Sequence, residues 1–481
     1  MKLLNRSTVI AKKYPTRILQ FGDGNFLRAF IDWIVYELNR ATNFNAGITV
    51  VKARPGKGKL EILNNQEGLY TLFLKGVKNG EVKNKHSIID CINEGINPYD
   101  NFEYYFNQAE NPNLQFLVSN TTEAGIVFNA GDKLADTPQI SFPGKVTAFL
   151  YHRFKIFNGD KNKGLIFFPC ELIDNNGLKL KEIVLKYAKI WKLESSFISW
   201  VINHNFFCNT LVDRIVSGYP KNKINSIQEE LGYKDQLIVE SEFYHLFVIE
   251  ASSNIQKKFP ANTIGLNVIF TEDIKKYKTI KVRILNGAHT SLVPLGYLYG
   301  LNTVRECLKN TLIKGFLKKL VANEIASTLN FPEEELINYT NDVFDRFENP
   351  YLEHELMSIS LNSISKFKTR VLPSIIEYIA IKNSLPQYLL FSLSALIVFY
   401  KGNRNGIPIL LNDDEEVLCF FKKLFESSNN SFTITQAVLS NTDFWETDLT
   451  QYQGFHNQVK LYYEVIINKG MKATLKSFAL S

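Results

Sequence analysis

The run Thr16-Arg-Ile-Leu-Gln-Phe-Gly22 constrains the fold more than any other segment, because a short apolar strand passes directly into a glycine turn and an amphipathic helix. The turn is Gly22-Asp23-Gly24-Asn25-Phe26, and the helix carries Phe26, Phe30, Trp33, Ile34 and Leu38 before it ends near Asn43. A second β-branched run, Gly47-Ile-Thr-Val-Val-Lys-Ala-Arg54, follows at about the separation that a parallel crossover needs. Gly22 and Gly24 would let the backbone approach a pyrophosphate and aim amide N–H groups and a helix N-terminus at its charge. Leu27 stands where a third glycine would complete the dinucleotide fingerprint. Where the second strand ends, Lys52 and Arg54 replace the acidic residue that usually grips a ribose 2′-hydroxyl, and taken alone they would suit the 2′-phosphate of NADP.

Further strands are expected at Ser87 to Ile92, Leu114 to Ser119, Gly164 to Pro169 and Gln236 to Glu250, with helices between several of them, which points to a mostly parallel sheet. Two polar loops fall at candidate carboxyl ends of strands, where ligands sit in open α/β sheets: Asn120-Thr-Thr122-Glu123-Ala-Gly125 and Cys170-Glu171-Leu-Ile-Asp174. Ordinary strand-to-helix loops would read the same way. After about Thr271 the pattern turns helical, with Leu308, Leu312, Phe316 and Leu320 recurring every four residues. The expected architecture is α/β plus α: a dinucleotide-binding domain over 1–265 and a mainly α-helical domain over 266–481, joined near Pro260 and Gly265.

Just inside that second domain, Lys281-Val-Arg-Ile-Leu-Asn286-Gly-Ala-His289 sets three proton-handling or hydrogen-bonding side chains within one short stretch. On an α-helix at about 100° per residue, Lys281, His289 and Asn286 fall near roughly 0°, 80° and 140° and share one broad face. Val282 and Leu285 lie in the same arc, so apolar surroundings would lower the lysine pKa and fit it to act as a general acid. Asn286 could steady a developing alkoxide, and His289 could orient a substrate hydroxyl. This is equipment for redox chemistry at a carbonyl, although a solvated helix face with one satisfied histidine is the plainer reading of the spacing alone.

The formal charge of +7 is spread along the chain without a block of five like charges, which points away from a nucleic-acid arm and accommodates an anionic cofactor or a carboxylate substrate. Five cysteines, scattered and without a C-x-x-C pair, imply neither a disulfide framework nor a zinc site. The stretch MKLLNRSTVIAKKYP lacks an apolar core of signal-peptide length, and the run Tyr388 to Tyr400 is too short for a membrane span and reads as a buried helix. A reduced, cytoplasmic protein with no membrane partner is expected.

With Gly22-x-Gly24-Asn25-Phe26-x-Arg28, Thr122-Glu123-Ala-Gly125 and the K-x4-N-x-x-H pattern at Lys281, Asn286 and His289 in order, the sequence resembles the polyol-specific long-chain dehydrogenases of the mannitol dehydrogenase family. The likeness is closest to members that reduce keto-hexuronates, and it runs on through Thr210 to Pro220, Arg346-Phe-x-Asn-Pro350 and Leu361-Asn-Ser-x-x-Lys366-Phe-Lys-x-Arg370. It implies a Rossmann-like domain followed by a helical one, NAD rather than NADP, a small sugar-acid substrate and reversible ketone reduction without a metal. Carried over, Lys281 is the general acid/base, Asn286 the oxyanion partner and His289 a substrate-orienting group. Gln20, Phe21, Gly22, Asp23, Gly24, Asn25, Phe26, Arg54, Thr122 and Glu123 would surround the cofactor. Asp213 and Glu171 would lie near the substrate, and Lys366 or Arg370 would take its carboxylate, unless these cations form a solvated face. Leu172 and Ser358 stand where mannitol-specific relatives carry an asparagine and an arginine, which argues against plain mannitol. A related polyol or polyol-phosphate dehydrogenase is the alternative.

Overall fold

A computed structural model describes the chain except Lys57, Glu123, Asn405 and Ser481 and the side chains of Ala479 and Leu480. The chain forms two compact units, Met1–Lys75 with Lys83–Lys275, and Gly76–Val82 with Lys276–Ser481. The division after Lys275 falls later than the 265/266 boundary read from the sequence, and the hairpin tip Gly76–Val82, which the sequence did not reveal, goes with the second unit.

In the first unit, strands β1 (Thr16–Phe21), β2 (Gly47–Val51), β3 (Tyr70–Lys78), β4 (Glu81–Ile89), β5 (Ile92–Ile96), β6 (Phe116–Ser119), β7 (Ile166–Pro169) and β8 (Phe206–Phe207) come in that order. Six of them make an all-parallel sheet in the order β5-β2-β1-β6-β7-β8. Renumbered along the sheet this is the 3-2-1-4-5-6 order of the doubly wound dinucleotide-binding fold. The strands read as apolar runs because both faces are covered. Ile18, Val50, Phe116, Val118 and Phe168 enter one core with Phe30 and Ile34, while Leu19, Phe21, Val51, Leu117 and Phe167 enter another with Phe149 and Val184. Alternate residues of each strand thus feed opposite layers.

The expected helix after the glycine turn is two helices, Asn25–Ala29 and Ile31–Ala41, broken at Phe30, whose φ and ψ of −124° and −80° leave the helical region. The expected strand Ser87 to Ile92 is the end of β4 and the start of β5, and Gln236 to Glu250 is likewise two strands, Val239–Ser241 and Leu246–Glu250. These latter belong to two smaller mixed sheets.

Among the described residues, the part of the second unit from Lys276 onward is mainly helical, with a short two-stranded ladder at Asn403–Arg404 and Ile407–Pro408. Its core gathers around the mostly apolar helix Gln387–Phe399, in which Leu389 through Phe399 are all buried. The stripe from Leu308 to Leu320 is not one helix: Asn310 ends Val304–Lys309 and caps Thr311–Lys319 by accepting from the Leu312 and Ile313 amides. Among the described residues no helix is long and apolar enough to cross a membrane.

Candidate active site

In the first unit the glycine turn lies where the strand order reverses, between β1 and β6. Gly22 has φ +128°, and a Cβ there would stand 3.0 Å from the Asn120 carbonyl oxygen at the end of β6. Only glycine tolerates both conditions. A Cβ on Gly24 would meet nothing within 4 Å, and the helix that begins at Asn25 has no side-chain cap, so no capping side chain occupies its first amides. That combination fits a pyrophosphate.

The side chains around the turn hold it from behind. Gln20 is buried, donates from Nε2 to the Gly22 carbonyl at 3.3 Å, and leaves its Oε1 without a partner. Phe21 packs edge-on against Phe142 with centroids 5.1 Å apart. Asp23 Oδ2 accepts from the Lys59 amide at 3.3 Å, and Phe26 stacks on Phe30. Asn25 Oδ1 accepts from Arg28 Nη2 at 2.5 Å, while Arg28 Nη1 donates to the Leu237 carbonyl at 2.7 Å.

Behind Arg28 sits Asp32, fully enclosed, which accepts from the Tyr70 hydroxyl at 3.2 Å and whose carboxyl is raised to about 7 chiefly by burial. No motif in the sequence assigns Arg28 and Asp32 a role as a pair. Its signal was a charged pair spaced i, i+4 inside an apolar stripe.

The two basic residues that hinted at NADP are otherwise engaged. Lys52 is buried and its ammonium donates to the Gly56 carbonyl; Arg54 Nη2 donates to the Thr121 carbonyl at 2.7 Å and to the Thr122 hydroxyl. Thr122 has φ +96°, a region that β-branched residues seldom adopt. Glu123 lies outside the described residues. Glu171 is buried, and both carboxylate oxygens accept from β6 and its loop: Ser119 Oγ at 3.0 Å, and the Thr121 amide and hydroxyl at 2.9 Å each. Burial raises its pKa. It thereby fixes the loop that carries Thr122. Asp213 ends the strand Asn209–Asp213, half-buried and paired with Leu246.

In the second unit, Lys281–Asn286 is a π-helix that runs without a break into the helix Gly287–Tyr299. The α-helical angles expected from the sequence therefore do not apply. A π-helix closes its hydrogen-bonded rings between i and i+5, so Lys281 and Asn286 stand one ring apart on the same face, closer in direction than an α-helix would leave them. Arg283 anchors the opposite face: buried, it donates from Nε to Ser374 Oγ at 2.6 Å and from Nη2 to Glu377 at 2.8 Å and Thr328 Oγ1 at 3.2 Å. Gly287 allows close packing, since a Cβ there would lie 3.1 Å from the Arg370 carbonyl.

His289 is enclosed, with its ring stacked on Phe347 at 4.1 Å and its Nε2 without a hydrogen-bond partner among the described residues. Burial, then His354, Arg346 and Arg370, hold its pKa well below the usual imidazole value, so the ring is neutral. Of the basic groups in the helix Ser363–Arg370, Lys366 donates to the Ile359 carbonyl at 2.9 Å and Lys368 pairs with Glu446 at 3.0 Å. The half-buried Arg370 guanidinium makes no hydrogen bond or ion pair among the described residues, and burial lowers its pKa. Lys281, Asn286, His289 and Arg370 all belong to the second unit, and Arg370 acts on the His289 imidazole. His354 and Arg346 act on the same imidazole; Arg346 stands in the motif Arg346-Phe-x-Asn-Pro350 but with no role attached, and nothing in the sequence marks His354, because its position says nothing of its nearness to His289. Among the described residues, no three His, Cys, Asp or Glu side chains converge as a metal-ligand group.

Residues 16–268 match the mannitol dehydrogenase Rossmann domain, and residues 273–467 match the mannitol dehydrogenase C-terminal domain. The chain is 47% identical to an altronate oxidoreductase of Bacillus subtilis strain 168, covering 97% of this chain and 96% of that one. It is 44% identical to an altronate oxidoreductase of Bacteroides thetaiotaomicron over 99% of each. Its fold is similar to a D-sorbitol dehydrogenase crystallised in substrate-free form (TM-score 0.79, 20% identity, 98% of this chain and 100% of that one). It is also similar to Pseudomonas fluorescens mannitol 2-dehydrogenase, solved as a ternary complex with NAD and D-mannitol (TM-score 0.63, 21% identity, 100% of each chain).

Proposed function

The chain belongs to the mannitol dehydrogenase family, and from that premise we propose that it is an NAD-dependent oxidoreductase interconverting D-tagaturonate and D-altronate. The cofactor's cradle is the turn Gln20 to Phe26, where Gly22 admits the close approach and Gly24 opens toward the ligand. Arg54 braces Thr122 on the far side of the turn, and Lys52 and Arg54, bound to backbone and hydroxyl oxygens, leave NAD rather than its 2′-phosphorylated form as the fitting ligand. When bound, NAD(H) supplies or accepts the hydride at the substrate carbon.

In the reducing direction the Lys281 ammonium donates a proton to the ketone oxygen; in oxidation the amine takes it back from the hydroxyl. Asn286, one π-helical ring away, directs its carboxamide N–H to the charge that develops on that oxygen. His289, kept neutral, gives its Nε2 to a neighbouring hydroxyl. Arg370 receives the carboxylate, with Lys366 adding positive charge beside it. Asp213 is proposed to contact substrate hydroxyls. The five cysteines are all free thiols, which accords with work in the reducing cytoplasm.

The observation that carries this reading is the π-helical ring that sets Lys281 and Asn286 on one face, in the same unit as an enclosed imidazole whose Nε2 has no hydrogen-bond partner among the described residues. The decisive experiment follows NADH oxidation at the nicotinamide absorbance band with D-tagaturonate, neutral ketoses and ketose phosphates in parallel. Tagaturonate should be preferred by kcat/KM; turnover of another ketose with none of tagaturonate sinks the assignment.

A further inference from the structure

Strand β6 ends at Ser119, and in the loop that follows, where the strand order reverses, the exposed Thr122 has φ +96°. A β-branched residue is strained there, and such strain persists only where the surroundings over-determine it. Here they do so from both sides. Beyond β2, Arg54 Nη2 donates to the Thr121 carbonyl at 2.7 Å and to the Thr122 hydroxyl. Beyond β7, the buried Glu171 accepts from the Thr121 amide and hydroxyl and from Ser119 Oγ, and Asn120 Nδ2 donates to the Cys170 carbonyl at 3.3 Å. The Gly125 amide donates to the Thr122 carbonyl at 2.9 Å, in a turn so tight that a Cβ on Gly125 would collide with Thr121 Oγ1.

These bonds engage every polar group of Thr121 and both oxygens of Thr122. One donor is left: the Thr122 amide makes no hydrogen bond among the described residues. In a trans peptide the carbonyl and the N–H point in opposite directions, so the bond from Arg54 to the Thr121 carbonyl also fixes the line of the Thr122 N–H. The loop adjoins the dinucleotide turn, since the Asn120 carbonyl oxygen would stand 3.0 Å from a Cβ on Gly22. A donor held in place before the ligand arrives avoids the cost of ordering it on binding.

We infer that Arg54 and Glu171 are positioning residues of the cofactor site: they hold the strained Thr121–Thr122 peptide so that its N–H is a fixed donor to an oxygen of the bound dinucleotide, and themselves touch neither dinucleotide nor substrate. The inference rests on the NAD reading above and replaces, for these two residues, the direct contacts that the family resemblance implied.

The test is a double-mutant cycle on NADH affinity, read by fluorescence titration of the full chain with Arg54→Met, Thr122→Gly and the two combined, beside the melting temperature of each. Glycine adopts a positive φ without a clamp, so Thr122→Gly should melt no lower than the unmodified protein although it loses a hydrogen bond. Arg54→Met should weaken NADH about tenfold where Thr122 is present and less than about threefold where glycine replaces it, because the conformation then needs no restraint. Equal losses in the two backgrounds mean that Arg54 meets the cofactor itself and overturn the inference. So does a Thr122→Gly protein that melts several degrees lower, a result that needs only the single small substitution. Glu171→Gln should raise the NADH Kd and leave the tagaturonate KM at saturating NADH unchanged; the reverse pattern makes Glu171 a substrate contact and overturns its assignment. NADH binding by the unmodified protein decides the cofactor reading, and its absence sinks both; the variants decide the clamp.

Discussion

Gly22 and Gly24 sit two residues apart in one turn, yet their physics differ. At Gly22 a methyl group would force a +128° φ on a residue with a Cβ and press that Cβ to 3.0 Å from a backbone carbonyl. Gly22→Ala should lower stability by about 1–3 kcal/mol, the usual cost of a strained backbone position, and weaken NADH binding together with it. At Gly24 φ is −75° and the space is open, so Gly24→Ala should keep its melting temperature while losing NADH affinity. Thermal unfolding beside NADH fluorescence titration separates the two, and a Gly24→Ala protein that binds NADH normally would show that the turn does not hold the cofactor. Lys281→Ala removes the proposed proton donor; kcat for tagaturonate reduction should fall on the order of 10²–10⁴-fold with circular dichroism unchanged. Near-normal turnover by that variant would assign the proton to another group.

At the scale of elements, the π-helix is what relates Lys281 to Asn286, and Arg283 is what braces it. The guanidinium is buried on Ser374, Glu377 and Thr328 behind the segment, so Arg283→Met keeps the bulk and deletes the bonds. Net losses of roughly 2–3 kcal/mol are expected for such charge-assisted contacts, with kcat falling more than the substrate KM rises if, as proposed, the register of Lys281 against Asn286 serves the transition state. A variant that is destabilised but catalytically intact would separate the anchor from the chemistry. This segment also marks the limit of what could be read from residues alone. The strands β1, β2, β6 and β7 were legible because a strand buried on both faces is an unbroken apolar run, and the turn at Gly22 because only glycine fits there. The i→i+5 ring at Lys281 has no compositional signature, and the exposed polar run Glu81 to His86 gave no sign of a strand. His354 was silent for another reason: its meaning comes from a ring brought to it by folding. Glu171 was legible as a polar residue at the carboxyl end of a strand and Lys366 as a basic group in a motif of the resemblance, but not the internal oxygens and amides that engage them.

Across the whole molecule, both units enclose carboxyl groups, and this sets how stability varies with pH. Asp32 in the first unit and Glu324 in the second are each raised to about 7, burial being the main cause. Glu324 accepts from the Tyr388 and Leu389 amides at the start of the central apolar helix, so its charge state bears on that core directly. In the unfolded chain these groups titrate near 3.8 and 4.5. The folded protein therefore binds more protons than the unfolded chain between those values and about 7, and their stabilising contribution, complete at low pH, is lost as pH rises through about 7. The enclosed histidines oppose this at lower pH. His289 and His354 have folded pKa values below the ordinary 6.5, so they destabilise the fold increasingly as pH falls through 6.5, an effect that fades only by about pH 7.5 as the unfolded imidazoles lose their protons. Between pH 6.5 and about 7.5 the carboxyls outweigh that fading opposition, and stability should fall by roughly 0.5–1 kcal/mol, read as a drop of about a degree in melting temperature. Asp32→Asn removes one of the two groups while leaving an oxygen for the Tyr70 hydroxyl, so its melting temperature should vary less over the same interval. A wild-type curve that rises through pH 7.5, or a variant with the same slope as the wild type, would mean that these carboxyls are already ionised at neutral pH and that the enclosure around them is looser than their burial implies.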